Sequence, residues 1–594
     1  MRGRVGEVAY VNPNKTVDLD YRRLVRESRR IDESRHSHRV RIALVSDAAT
    51  QQFVPVLRTL FSENAVTAEI YEAPFDAMEL EVINPASGLY AFKPEVVVLI
   101  HSTQALRARY YEQGMAPEFD RLCRIWDALA AHGSARIVQC NFPMPYERPF
   151  GQFDQKIHQS LYAEIQLLNA RIAHATGERA NVLVCDLESI ASYVGRKHWF
   201  DDRLWDMSKT YCSLEHLPHA AQAMVDVVLA GLGRIVKCVI LDLDNTLWGG
   251  VVGDLGPMDV AIGPHGDGEA FYRLQQFLLS LKKRGILLAV CSKNDLDNAL
   301  AVFEQNPGML LKRDDIAVFA VNWDNKADNI RTIRDTLQIG FDSLLFLDDN
   351  AFERNLVRNF LPEVIVPELP EDPADYVRAV SELNLFETTV FSAEDAARSE
   401  LYRQEAGRRQ AQGAFTDVNA FLKSLDMRIT AGRFEPPQIG RISQLFLRSN
   451  QFNLTTHRHT EAQCTAMMED VRCIPLCASL KDRFGDHGLI SIAVAWPEGD
   501  TMRISDWLMS CRVLGRGVEE YLMNQLVSMA RERGVRRVRG DYLPTAKNGM
   551  VRDFWRRFGF ENTAGSLWEI EVAAYVPGTT WVRPTDSDSE GEKS

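Results

Sequence analysis

Asp242 and Asp244 close the apolar run VILDLD, with Thr246 two positions further on. A strand that opens into a turn at this point delivers both carboxylates to one polar mouth. There they must be solvated, paired or bound to a cation. A carboxylate so placed can attack phosphorus, and the Thr246 hydroxyl with neighbouring backbone N–H groups can hold phosphate oxygens. An isolated Asp-x-Asp is often only a surface turn, but three further groups follow. Ser292 ends LLAVCSKN with a hydroxyl suited to a phosphoryl oxygen, Lys326 in WDNKADNI supplies fixed positive charge, and Asp348 and Asp349 end LLFLDDN. Asp348 is a third carboxylate for a divalent cation, with Asp349 an adjacent acid. Mg2+ is the expected ion, since it favours a few carboxylate oxygens together with water and a substrate phosphate.

A second chemical centre is expected in SCRVLGRGVEEYL. Cys511 stands beside Arg512 and just ahead of a helix, and both neighbours favour the thiolate. Gly515 and Gly517 open that helix, whose N–H groups could bind a pyrophosphate or pantetheine phosphate. Glycines before a helix also serve plain turns. If Trp496 pairs with Thr501 around the turn PEGD, Asp486 falls opposite Cys511 and His487 opposite Ser510. One bulge would then bring His487 onto the face of Cys511.

The elements that must position these groups read as α/β and multi-domain. A chain of 594 residues is too long for one core. An Arg- and Ser-rich segment, 1–36, is expected to be a loosely docked arm. From residue 37 to 232, the runs RIALVSDAA, PEVVVLIHS, ARIVQCNFP and NVLVCDLES alternate with helical stretches, the pattern of a parallel sheet covered by helices. A second α/β unit spans 233–390. Residues 391–576 pass from the polar helical stretch SAEDAARSELYRQEAGRRQAQGAF to a hairpin, GLISIAVAW and TMRISDWLMS, then the helix GVEEYLMNQLVSMARERG and the strand VRRVRGDYL. In that helix Val518, Leu522, Leu526 and Met529 fall on one face. The acidic tail 577–594 is expected to be disordered.

Composition narrows the function classes. Hydrophobic residues make up 46% of the chain and charged residues 25%, with no apolar run long enough to span a bilayer. The net charge of -13 disfavours nucleic acid as a partner. The N-terminus lacks a signal-peptide pattern, and ten cysteines scattered singly fit reduced thiols, so a cytoplasmic location is expected.

The ordered set Asp-x-Asp-x-Thr, Ser, Lys, Asp-Asp resembles the haloacid dehalogenase (HAD) superfamily over residues 233–390, which implies a Rossmann-like phosphatase domain. Carried over, Asp242 is the nucleophile that forms an aspartyl phosphate and Asp244 the general acid/base. Mg2+ is held by Asp242, Asp244 through its backbone carbonyl, and Asp348; Thr246, Ser292 and Lys326 bind the transferring phosphate. The segment around Arg512, Gly515 and Gly517, read with the hairpin and FWRRFGF, resembles the acyl-CoA site of GNAT-type acetyltransferases, an α+β fold. The 37–232 region resembles an SGNH-hydrolase fold, a three-layer α/β domain. Its motif departs, however: Ala48 follows Asp47 where the nucleophilic serine would stand, and His216 takes the place of the Asp expected three residues before His219. A docking or structural role follows.

Across the chain, KCVILDLDNTLWGGVVGD, LRSNQFNLTTHRHTE, LKDRFGDHGLISIA and SCRVLGRGVEEYL resemble FkbH-like proteins. That resemblance implies a glyceryl transferase/phosphatase of polyketide biosynthesis. Such an enzyme draws on 1,3-bisphosphoglycerate, removes phosphate, holds D-glycerate as a thioester on Cys511 and passes it to the phosphopantetheine of an acyl carrier protein. The competing classes are a small-molecule HAD phosphatase, a CoA-dependent GNAT acetyltransferase and a docking scaffold with dead sites. The intact phosphatase set argues against the scaffold.

Overall fold

The computed structural model describes residues 18–36, 38–389, 418–449, 452–483, 485–510, 513–545 and 548–585. Residues 1–17 of the arm, the polar stretch 391–417, Cys511, Arg512 and residues 586–594 of the tail lie outside the described residues. The chain forms two compact units, 1–235 with 383–389, and 236–382 with 390–594. The boundary expected after residue 390 falls inside the second unit, whose two regions carry separate sheets and separate hydrophobic cores.

In the first unit the strands β1 (His38–Ser46), β2 (Val66–Glu72), β3 (Val96–Ile100), β4 (Arg136–Cys140) and β5 (Val182–Cys185) form an all-parallel sheet in the order β2-β1-β3-β4-β5. Their continuous Val/Ile runs suit strands buried on both faces. Along β1, Val40, Ile42 and Leu44 pack with the helices Phe53–Glu63 and Leu217–Gly231. Ala43 and Val45 pack with Glu118–His132 and Leu161–Gly177 on the opposite side. The loosely docked arm is corrected for residues 18–36. Tyr21–Ser28 is a helix started by Asp20, which accepts from the Arg23 N–H at 2.6 Å, and Leu24 is fully buried in the core. That leucine contributes about 1.5–3 kcal/mol; Tyr21 and Val25 pack partly buried against the same core, and Arg23 pairs with Glu63 at 2.7 Å.

In the second unit β6 (Cys238–Leu241), β7 (Leu287–Ser292), β8 (Val318–Val321) and β9 (Leu344–Leu347) form a parallel sheet ordered β8-β7-β6-β9. Leu241 pairs with both Val290 and Leu347, so the residues following β6 and β9 emerge side by side. A second sheet has the order β15-β16-β14-β13-β12-β11-β10-β17. Its strands are β10 (Arg428–Arg433), β11 (Ile474–Asp482), β12 (Gly485–Glu498), β13 (Thr501–Met509), β14 (Arg537–Asp541), β15 (Glu561–Ala564), β16 (Leu567–Glu571) and β17 (Arg583–Pro584). β13 and β14 are parallel, joined through the helix Val518–Glu532. That helix buries Val518, Leu522 and Leu526 as the periodicity predicts, along with Met523, Val527 and Ala530, while Met529 is only partly covered. Residues 577–585 belong to this fold rather than to a disordered tail, since Val582 is buried and β17 pairs with β10.

The hairpin register differs from expectation. Glu498 pairs with Thr501 across the two-residue turn Gly499–Asp500, where Gly499 takes φ +64, and Trp496 pairs with Arg503. Further along, Val494 pairs with Asp506 but Ala495 with Ile504, which leaves Ser505 as an extra, bulged residue. Ser491 then pairs with Met509, and the Ser510 N–H donates to the Ile490 carbonyl, so neither Asp486 nor His487 falls opposite the end of β13. The tighter turn and the bulge each shift the count.

Candidate active site

The carboxyl ends of β6, β7 and β9 and the start of one helix bring the phosphatase set together. Asp242 follows β6, its N–H donating to the Leu347 carbonyl, and Asp348 follows β9. Lys326 opens the helix Lys326–Leu337, capped by Asn325, whose side chain accepts from the Ala327 N–H. The positive end of a helix dipole disfavours a cation, and two carboxylates offset it. Lys326 Nζ lies 2.6 Å from Asp348 Oδ2 and 2.9 Å from Asp242 Oδ1, with all three side chains buried. Burial pulls the lysine pKa down, but the attraction of Asp242 and Asp348 outweighs it and holds the ammonium above its ordinary value. Burial and the charge of Asp242 push the Asp348 carboxyl up to about 6 against the pull of Lys326.

Carboxylate oxygens of Asp242, Asp348 and Asp349 lie within 4.8 Å of one another. Asp242 Oδ1 is buried and, though charge-paired with Lys326, makes no hydrogen bond. Hard oxygen donors converging around an unsatisfied carboxylate oxygen fit Mg2+ well. The carboxylate of Asp244 stands outside this group because its lone pairs are engaged elsewhere. Oδ1 accepts from Trp248 Nε1 at 2.8 Å and the Val252 N–H at 3.1 Å, and Oδ2 from Asn294 Nδ2 at 2.9 Å. Its side chain is therefore not a metal ligand here; ligation by Asp244 is left to its backbone carbonyl. Burial raises the Asp244 pKa, against the lowering effect of the Val252 and Trp248 bonds.

Thr246 is buried and braces the opposite loop. Its Oγ1 donates to Asp349 Oδ1 at 3.2 Å and accepts from the Asp349 N–H at 3.0 Å. That hydroxyl is thus committed to Asp349 rather than open to a phosphate oxygen. Ser292, at the end of β7, is buried and its hydroxyl has no hydrogen-bond partner among the described residues.

Several positioning residues escaped the sequence reading. Arg354, itself buried, donates through Nη1 to the backbone carbonyls of Asp348 and Asp349 at 2.9 and 2.7 Å, and its fork is held by Glu368. Asn245 adopts φ +55 in the loop between Asp244 and Thr246, and its Oδ1 accepts from the Gly250 N–H. An Asn in the left-handed region directly after Asp-x-Asp is the one signal of this kind that the sequence offers.

In the C-terminal region, His487 is buried and its Nε2 lies 2.9 Å from Asp482 Oδ2, which also receives Arg516 at 3.4 Å. Gly515 and Gly517 have φ of +70 and +84, as their turn requires. Gly515 does not offer its N–H to a phosphate, because it donates to Glu519 Oε1 at 3.0 Å, and Glu519 and Glu520 place negative charge in the first helical turn. The Gly517 carbonyl accepts from Thr580 Oγ1. In the first unit Ala48 is buried with its N–H on Ser46 Oγ, and the Asp47 carboxylate accepts from the Ser102 N–H at 2.7 Å and pairs with Arg109. His219 packs its ring against His216.

A family model described as FkbH, N-terminal domain, matches residues 41–229. The crystal structure of the N-terminal part of the protein BF1531 from Bacteroides fragilis, containing a phosphatase domain and complexed with Mg, is 38% identical, covering 62% of this chain and 99% of that one, with a TM-score of 0.59. The ribosomal-protein-S18-alanine N-acetyltransferase from Escherichia coli is 13% identical over 24% of this chain and 94% of its own, with a TM-score of 0.20. Ard1 from Thermoplasma volcanium is 18% identical over 24% and 97%, also with a TM-score of 0.20. A comparison with curated proteins gave no match.

Proposed function

The chain belongs to the FkbH-like proteins, and from that premise we propose that it is a Mg2+-dependent phosphatase and glyceryl transferase. It would take 1,3-bisphosphoglycerate, hold D-glycerate as an enzyme thioester and pass it to an acyl carrier protein of polyketide biosynthesis. The observation that carries the phosphatase half is the buried cluster of Asp242, Asp348 and Asp349 around Lys326. Its kinship to a phosphatase-domain structure complexed with Mg supports the same reading.

The chemistry divides between two centres. The Cys511 thiolate attacks the acyl-phosphate carbonyl carbon, the C–O bond to the C1 phosphate breaks, and inorganic phosphate leaves as the thioester forms. Three observations support Cys511 over its neighbours: Cys464, Cys473 and Cys477 are buried, and burial pushes each thiol up to about 12, so they stay protonated at neutral pH. For the C3 phosphate, Asp242 attacks phosphorus and the bond to the C3 oxygen breaks. Asp244 gives that oxygen its proton, then takes one from the water that hydrolyses the aspartyl phosphate. Lys326 and the Ser292 hydroxyl stabilise the transferring oxygens, and bound Mg2+ would add charge neutralisation there. The pantetheine thiol of the carrier protein then exchanges with the enzyme thioester.

Intact-mass analysis after incubation with 1,3-bisphosphoglycerate, Mg2+ and carrier protein tests both halves. The wild type should carry a glyceryl increment on Cys511 and transfer it. Asp242→Asn should carry the increment with its phosphate retained, and Cys511→Ser should carry none while still binding Mg2+. Loss of the C3 phosphate by folded Asp242→Asn at the wild-type rate would sink the phosphatase assignment. An adduct on another cysteine would sink that of Cys511.

A further inference from the structure

The C-terminal region holds a second group of metal-type ligands, remote in sequence from the phosphatase set. His457, His459 and Asp506 present one ligand atom each, all within 4.8 Å of one another. His457 Nδ1 lies 2.8 Å and His459 Nε2 3.3 Å from the same oxygen, Asp506 Oδ1. Thr455 Oγ1 reaches that oxygen too, at 3.3 Å. Residues 455, 457 and 459 thus meet one carboxylate from a loop in which Thr456 takes the left-handed φ of +56. Asp506 sits on β13 immediately after the bulged Ser505, whose hydroxyl donates to the other carboxylate oxygen at 2.7 Å. Bulges re-aim side chains, and this one sets Asp506 on the side of the strand that carries Leu508, with Met502, Ile504, Trp507 and Met509 committed to the core on the other side.

We propose that His457, His459 and Asp506 form a Zn2+ site with one coordination position open to solvent. Ligand type favours a first-row metal over Mg2+, because two imidazoles with one carboxylate suit zinc whereas Mg2+ takes oxygen donors. Distance agrees. Two atoms each about 2.0–2.1 Å from a tetrahedral zinc stand about 3.3–3.4 Å apart. The His459–Asp506 separation of 3.3 Å already matches, and His457, at 2.8 Å, must open by about 0.5 Å. The outer shell is in place: the Ser505 hydroxyl fixes the carboxylate, and the Phe446 ring meets His459 edge-on with centroids 4.6 Å apart. Access is in place as well, since the Asp506 side chain is 3% exposed and that of His457 44%. Three protein ligands with a free fourth position is the arrangement of catalytic rather than structural zinc.

The full chain, stripped with chelator and dialysed against Zn2+ in excess Mg2+ to fill the phosphatase site, should retain one zinc through gel filtration. Its Co2+ form should show the visible absorption of four-coordinate cobalt. Asp348→Asn, altered only at the phosphatase cluster, should retain that zinc. His457→Ala/His459→Ala should lose it. Should the double variant fail to fold, His457→Asn, at a half-exposed position, should still weaken zinc affinity at least about 100-fold, beyond the loss usual for outer-shell partners. Zinc absent from the wild type would leave these residues as a hydrogen-bonded cluster only and overturn the site. Zinc retained equally by the double His variant would overturn it too.

Discussion

Replacing Lys326 by Met removes the cation between two buried carboxylates while keeping much of the side-chain volume. At 2.6 and 2.9 Å, with an effective dielectric constant of about 20, each ion pair is worth about 6 kcal/mol of attraction. The full loss cannot be realised, because the orphaned pair escapes by taking up a proton. At pH 7.5, protonating a carboxylate whose unperturbed pKa is about 3.9 costs about 5 kcal/mol, which caps the penalty. Breaking a buried pair usually costs about 3–5 kcal/mol. The same reasoning fixes the pH dependence: the variant's folded-state carboxyl pKa lies above its unfolded value, so the penalty is largest at high pH and fades as pH falls towards that value. At pH 5 it should be only about 1.5 kcal/mol. Hydrogen exchange read on Cys238–Leu241 and Leu344–Leu347 in EDTA should show protection reduced about 100- to 4000-fold at pH 7.5, since each tenfold is about 1.4 kcal/mol. Mg2+ should recover much of it by replacing the lost charge. Unchanged protection in EDTA, or a deficit that persists undiminished at pH 5, would refute the charge-pair account.

Two further substitutions probe groups that touch no substrate. Arg354→Met removes the guanidinium that holds the Asp348 and Asp349 carbonyls; it should weaken Mg2+ binding about 10- to 100-fold by calorimetry, with an intact fold. In the first unit burial raises the Asp226 carboxyl to about 7 despite hydrogen bonds from Asn384 and Gln222. A raised carboxyl binds more protons in the folded state, so its contribution to stability is full near pH 4 and is lost as pH climbs through about 7. Asp226→Asn should therefore stabilise the helix Leu217–Gly231 by up to about 4 kcal/mol at pH 8 and by nothing near pH 4, measured as amide protection at the two values.

The phosphatase residues were legible because each follows a short apolar strand, and the ends of parallel neighbours share an edge. Asp242, Ser292 and Asp348 needed only that inference. Arg354 was not legible: it acts on main-chain carbonyls, and no side-chain pairing in the sequence marks it. Asp244 could be placed but not oriented, since Trp248, Val252 and Asn294 claim its oxygens only once the loops are folded. The helix Tyr21–Ser28 was hidden by composition, its buried Leu24 and flanking Tyr21 and Val25 set among arginines. The hairpin pairing failed for a countable reason: placing four residues in the turn instead of two displaces every partner, and the bulge displaces those beyond it again. His457 and His459 carried a visible His-x-His spacing, but their carboxylate partner lies 47 residues beyond His459 and only the sheet reveals it.

That bulge also divides the hairpin into two arms with independent side-chain phase. Between the turn and Ser505, the outer arm alternates in one sense; from Asp506 onward the inner arm alternates in the other. The extra residue is therefore a joint that insulates the inner arm from events at the tip. Lengthening the Gly499–Asp500 turn should be absorbed by re-pairing of the outer arm, with Asp506, Trp507 and Met509 left where they are. Deleting Ser505 alone should bring the arms into one phase, with Ile504 and Trp507 still facing the core, Asp506 still facing away from it, and only the Ser505 hydroxyl's bond to Asp506 lost. Loss of the joint would thus leave each side chain on its present face but couple the inner arm to the tip, so that a later change of turn length would reach Asp506 and Trp507.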